Sequence, residues 1–229
     1  MRAKISYSLK ILTVISALLG MILNSVYARY DGYSHWSKRL MYFTTQSNLW
    51  VLVIFAVLLI LPFTKYGAEC LVRKSLYTVK FIFTVSITIT CIVFCVFLGP
   101  FAGDSYHAWS FYSLLLHVIT PALAVADFFV DDVRYRLGTR QIFESTIPAF
   151  LYFALASVLC AFGVDYGRGE PYPYFFMNFN SPAGIFGFSF APPNYIGSFY
   201  WIVLFWFIML GMAALYVKLN SKTIKKDNK

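Results

Sequence analysis

Apolar residues in this chain do not alternate with polar ones at the period of a half-buried helix or strand; they run on almost unbroken. Six stretches nearly free of charge lie at roughly 8–28, 41–62, 79–99, 109–130, 145–163 and 198–217. Each matches the about 20 apolar residues a helix needs to cross a hydrocarbon layer about 30 Å thick. The pattern predicts an all-α membrane protein, a six-transmembrane-helix bundle forming one domain over 1–229. Lys10 and Lys80 fall at the ends of their stretches, where long side chains are expected to snorkel to the interface.

Composition removes water as the solvent for this surface. Only 13% of the 229 residues are charged and 59% are hydrophobic, whereas a soluble domain carries about 25% charged residues. The net charge of +9 does not call for nucleic acid as a partner once each charge is placed along the chain. Of the 19 Lys and Arg residues, 15 lie at the chain start, between stretches two and three, between four and five, and after six. The other 4 are Arg29, Lys38, Arg39 and Arg168. Cytoplasmic loops carry the excess of basic residues, so both termini are expected in the cytoplasm (N-in/C-in) and the protein in a cell membrane, of the bacterial plasma-membrane kind. The first stretch follows a basic start like a signal sequence, but it is long and has no small-residue cleavage site, so it is expected to stay as a helix. Cys70, Cys91, Cys95 and Cys160 fall within helices or on the basic side, which implies no disulfide framework.

There is no internal repeat or low-complexity tract. Segment 164–197 is rich in Gly, Pro and aromatic residues and lacks helical periodicity. Unstructured connections of that length are uncommon unless functional, and irregular backbone cannot face lipid. It is expected to cover or plug the outer mouth of the bundle, or else to form an aromatic interface belt.

Polar residues inside the stretches carry the remaining information. Thr13, Ala17, Gly20 and Asn24 share one face of the first, and Thr84, Thr88, Cys91 and Cys95 one face of the third, as packing stripes do in lipid. Cys91 and Cys95 have no further ligand on their helix, so no metal is expected. The second stretch opens with YFTTQSNLW (42–50), where Thr44, Ser47 and Asn48 share a face and Thr45 and Gln46 point elsewhere; taken alone, the run is expected to bond its hydroxyls to carbonyls one turn back and to tie neighbouring helices through its amides. The fourth places Ser110, Ser113, His117, Thr120 and Ala124 on one face, with the only histidine in any membrane stretch. His117 would lie about 12 Å below the start of its helix, and Thr44 about 5 Å below its own. An ionisable group at that depth points to function, and loss of water favours the neutral imidazole, which accepts protons. A hydroxyl and a neutral imidazole on inward faces are the parts of a nucleophile and base pair, or of an interhelical hydrogen bond. Asp127 is too far along its helix to orient His117 and is expected at the interface beside Asp131 and Asp132. His35 and His107 lie in outer loops and are expected to be solvated, the alternative being that with Asp31 and Asp104 they touch substrate headgroups or hold a metal weakly.

The motifs YFTTQSN, LLHVITPALAVAD and PYPYFFMNF resemble those of prokaryotic six-transmembrane membrane proteins related to the eukaryotic androgen-induced protein family, over nearly the whole chain in helix number and order. The resemblance implies an integral membrane hydrolase that cleaves esters of fatty acids with hydroxy fatty acids, using a Thr nucleophile and a His. In that family the Thr follows a Tyr-Leu pair early in the second helix. Tyr42, Phe43 and Thr44 match with Phe for Leu, so the nucleophile maps to Thr44 rather than Thr45 and the histidine to His117.

The expected chemistry is lipid-ester hydrolysis without metal or cofactor, with membrane lipids around the chain and a fatty-acyl ester entering sideways from the outer leaflet. Asn48 or Gln46 would supply amide donors to an oxyanion, Asn48 being favoured because it shares Thr44's face, with Ser47, Ser113 and Asn24 in support. The alternative is a non-enzymatic transporter, channel or lipid-binding sensor with a polar pocket around His117. A haem protein would need paired axial ligands, a rhomboid-like protease a Gly-x-Ser-Gly turn, and a retinal protein a mid-helix lysine; none is present.

Overall fold

The structure is a computed structural model that describes residues 2–65, 67, 73–101, 107–131 and 135–227. Cys70, Asp104, Asp132 and Arg134 lie outside the described residues. Six helices are long and apolar enough to span a membrane: α1 (Arg2–Val26), α2 (Phe43–Phe63), α3 (Lys74–Leu98), α4 (Phe111–Val130), α5 (Thr139–Ala161) and α6 (Ser198–Ile224). α1, α3, α5 and α6 reach further toward their charged ends than the apolar stretches do. Hydrogen-bonded backbone continues past the lipid into the interface, where charge is tolerated. Among the described residues there is no strand, only one isolated bridge between Phe188 and Ile196.

The bundle turns polar side chains inward among its apolar core and leaves an apolar surface outside. Ile5, Leu12, Ile15, Leu18 and Ile22 of α1 are all exposed, while Thr13, Ser16 and Asn24 of the same helix are buried. Lipid offers no hydrophobic drive to bring helices together, so close packing and interhelical hydrogen bonds do it instead. Ser16 pairs with Thr120 at 2.8 Å between α1 and α4, and Ser47 with Thr90 at 2.9 Å between α2 and α3. Asn48 Nδ2 donates to the Leu116 carbonyl at 3.0 Å, joining α2 to α4. Gly20 brings α1 closest to α4: a Cβ there would lie 2.7 Å from Leu116 Cδ2. α6 is held to α3 by Tyr77 with Asn220 (2.9 Å) and Thr88 with Tyr216 (3.1 Å). In the most apolar window of α4 50% of residues are buried, against 22% in α5 and 17% in α6. The first four helices are therefore the polar-tied core, and the last two form its flank.

At the end of the bundle that carries both termini, the expectation that Lys10 and Lys80 snorkel is overturned. Lys80 is 1% exposed and Asp127 is fully buried. Lys80 Nζ lies 2.5 Å from Asp127 and also bonds Asp131; Lys10 Nζ lies 3.2 Å from Asp127 and 3.1 Å from Asp131. Ser6 donates to Asp127 at 2.6 Å. Asp127 is thus an internal clamp of α1, α3 and α4 and not an interface residue. The reason is that two lysines from other helices reach it, and charges paired inside the bundle avoid the cost of facing lipid singly. Removing one member of such a buried set leaves its partner uncompensated, at about 3–5 kcal/mol, whereas an exposed pair is worth about 0–1 kcal/mol. Lys80→Met should accordingly lower the unfolding free energy of the detergent-solubilised protein by several kcal/mol, and a change within the range of an exposed pair would return Lys80 to the interface.

Candidate active site

At the opposite end, Thr44 and His117 meet. Thr44 Oγ1 lies 3.2 Å from His117 Nε2. Thr44 is the second residue of α2 and His117 the seventh of α4, so their contact means that the two helix starts lie at different depths. His117 is 6% exposed, and its ring stacks on Phe94 of α3 with centroids 3.8 Å apart and planes at 15°. Both helices abandon α geometry here: residues Leu115–Ile119 of α4 and Val93–Leu98 of α3 are π turns. Single π turns are rare and concentrate at functional sites.

Nδ1 of His117 lies 2.8 Å from the carbonyl oxygen of Ser113 and 3.1 Å from its hydroxyl. A carbonyl can only accept, so Nδ1 carries the proton and donates it. Nε2 is then the unprotonated nitrogen facing the Thr44 hydroxyl, which donates to it. Among the described residues no carboxylate takes part; the third member of the chain is a backbone dipole.

The other residues singled out in the sequence divide. Ser113 touches His117. Asn24 lines the cavity that Thr44 and His117 share and accepts a hydrogen bond from Arg39. Asn48 does not fit the oxyanion role: Nδ2 donates to the carbonyls of Thr44 (2.8 Å) and Leu116 (3.0 Å), so both amide hydrogens are taken up in holding α2 to α4. Ser47 donates to the Thr44 carbonyl and pairs with Thr90 on α3. Gln46 turns away, toward the Leu40 carbonyl at 3.4 Å. Thr45, expected to point elsewhere, is 5% exposed and lines the cavity, because Asn24 and Arg39 cover that side of α2.

Arg39 is the residue the sequence did not single out. It is 4% exposed, ion-paired with Asp31, and stacked over Tyr33 at 4.3 Å. Its Nε has no hydrogen-bond partner among the described residues, and the side chain lines the cavity. Asp31, expected with the outer-loop histidines, is fully buried and also accepts from Tyr112 at 2.8 Å and His107 at 3.1 Å. An acid and a base eight residues apart around a Gly turn were the only available signal.

Segment 164–197 closes this end. Tyr166 and Met177 are 1% exposed, while Phe190 on its far side is fully exposed. Lys38 donates to the Asp165 carbonyl at 2.7 Å, and Ser34 to the Gly167 carbonyl at 2.6 Å. Gly167 sits at φ +103°, where a Cβ would meet Lys38 at 2.7 Å; no other residue fits. Tyr174 reaches from this segment to the start of α2. Burial raises its pKa to about 12, an effect that the neighbouring Thr44 and Phe43 partly offset.

Two cavities meet at Thr44. One, of about 260 Å³, is walled partly by Asn24, Arg39, His117 and Arg168. The other, of about 120 Å³, runs between α3, α5 and α6 along Ile89, Phe150, Phe205 and Met209. Thr44, Leu98 and Tyr174 line both.

No family model matches the chain, and no curated protein or solved structure matches it significantly.

Burial would raise the Asp31 pKa, but the hydrogen bonds from Arg39, Tyr112 and His107 outweigh it and hold the carboxyl below its ordinary 3.8. Its stabilising contribution is therefore complete above that value and lost as pH falls through the depressed one. Asp31→Asn should remove this part of the acid dependence of unfolding; an unchanged acid limb would show that the carboxylate is not the group responsible.

Proposed function

We propose that the protein is an integral membrane hydrolase that cleaves fatty-acyl esters, with Thr44 as nucleophile and His117 as general base. The observation that carries this reading is the placement of one threonine hydroxyl against the unprotonated nitrogen of an oriented, buried imidazole, at the junction of a polar and an apolar cavity. His117 Nε2 takes the proton as Thr44 Oγ1 attacks the ester carbonyl. The imidazolium then hands that proton to the departing alkoxide, and water, activated by the same nitrogen, releases the acyl group. The Ser113 carbonyl holds the ring in the required tautomer throughout.

Cavity polarity supports the substrate class. The apolar cavity suits an acyl chain arriving through the thinly packed flank of α5 and α6, and the polar cavity, walled by Arg39, Arg168 and Glu170, suits the oxygen-rich part of a lipid. In this reading both termini are cytoplasmic, the site faces the outer leaflet of a bacterial plasma membrane, and segment 164–197 shields it from bulk water. The resemblance of YFTTQSN and LLHVITPALAVAD to the threonine lipid-ester hydrolases points the same way.

Purified protein should react with a fluorophosphonate at Thr44, the phosphorus–oxygen bond forming as fluoride leaves, with the adduct located by peptide mass spectrometry. Thr44→Ala should abolish labelling and turnover of long-chain esters. His117→Ala should reduce both by a factor of about 10³ or more, since nucleophile and base act as a unit. Equal labelling and turnover in all three proteins would instead favour a transporter, channel or lipid sensor built around His117.

A further inference from the structure

Tyr152 of α5 carries a buried hydroxyl with nothing to bond. The residue is 8% exposed, and its oxygen has no hydrogen-bond partner among the described residues. Its surroundings are the apolar cavity that Thr44 and Tyr174 also line. A buried unpaired hydroxyl costs stability, and phenylalanine would fill the same space without that cost, so the group calls for an explanation.

Its position supplies one. The ring packs on Phe43 with centroids 5.1 Å apart and lies 6.5 Å from that of Tyr174. Phe43 and Thr44 open α2, and the amides of a first helical turn have no acceptor within their own helix. The preceding residue, Tyr42, gives them no side-chain cap. Uncapped amides beside the nucleophile, at the edge of a cavity that an unpaired hydroxyl also lines, are the donors that the carbonyl oxygen of an ester would meet there.

We propose that the Tyr152 hydroxyl and the backbone amides of Phe43 and Thr44 form the oxyanion hole for attack by Thr44. This rests on the hydrolase reading above. As the Thr44 oxygen bonds to the carbonyl carbon, its proton passes to His117 Nε2 and the carbonyl π pair moves onto oxygen. Tyr152 donates its hydrogen to that oxygen without transferring it. On collapse the pair returns, the bond to the leaving alkoxide breaks, and His117 protonates the alkoxide.

The test is Tyr152→Phe, measured in detergent with a long-chain ester and with two probes: an alkyl trifluoromethyl ketone, which forms a tetrahedral adduct, and the matching secondary alcohol, which does not. Loss of one oxyanion donor should lower kcat by about 10²-fold or more, with KM and alcohol binding unchanged and ketone affinity reduced by a comparable factor. Thermal stability should stay equal or rise, since the hydroxyl removed has no partner. Tyr152→His, which keeps a donor at that position, should retain more turnover than Tyr152→Phe. Wild-type kcat and ketone affinity in Tyr152→Phe, or equal losses for ketone and alcohol, would overturn the assignment while wild-type turnover that depends on Thr44 leaves the hydrolase reading standing. Turnover that survives Thr44→Ala would remove that reading first.

Discussion

Inside a hydrocarbon layer every polar group must find its partner within the protein, and this bundle is organised by where those partners are. An unpaired hydroxyl, amide or charge facing lipid costs several kcal/mol, so the polar side chains of α1 to α4 turn inward and pair across helix boundaries. Ser16 with Thr120, Ser47 with Thr90 and Asn48 with the Leu116 carbonyl fix the relative rotation of four helices. That rotation aims Thr44 and His117 at each other. The contact at 3.2 Å is thus the product of a wider set of satisfied bonds, several of which never touch the cavity.

The two ends of the core are pinned differently. At the terminal end, two lysines and two aspartates from α1, α3 and the end of α4 neutralise one another. At the other end a single carboxylate, Asp31, gathers Arg39, Tyr112 and His107 from three places in the chain. The first borders a cavity of about 230 Å³ through Lys10, Lys80 and Asp131. The second leaves one guanidinium nitrogen unpaired on the wall of a cavity, so the pinned end is also the end equipped to meet a ligand. α5 and α6 join this core with few polar ties, and the apolar cavity lies between them and α3.

Local backbone distortion also collects at the site. π turns in both α3 and α4 fall level with the stacked Phe94 and His117 rings, and the first turn of α2 presents uncapped amides. Regular helices fill lipid well but place side chains only at fixed angles of about 100°. Widened turns and helix starts offer the other directions that a site with converging groups requires.

The six helices, the inward stripe of α1 and the irregular character of 164–197 were legible in the amino-acid sequence, because hydrocarbon thickness sets helix length and lipid penalises polar exposure wherever the helix sits. His117 and Thr44 stood out for the same reason: each is a polar residue at a depth where such residues need a cause. Tertiary structure alone decided what each polar group pairs with. Lys10 and Lys80 sit at the ends of apolar stretches and resemble snorkelling residues until Asp127 is brought beside them from α4. Asn48 resembles an oxyanion donor until carbonyls on two helices take its hydrogens. Arg39, Asp31 and Tyr152 were not distinguishable from loop charges or a packed aromatic. Burial of one residue can be read from its neighbours in sequence, but hydrogen-bond satisfaction depends on partners that are close only after helices pack.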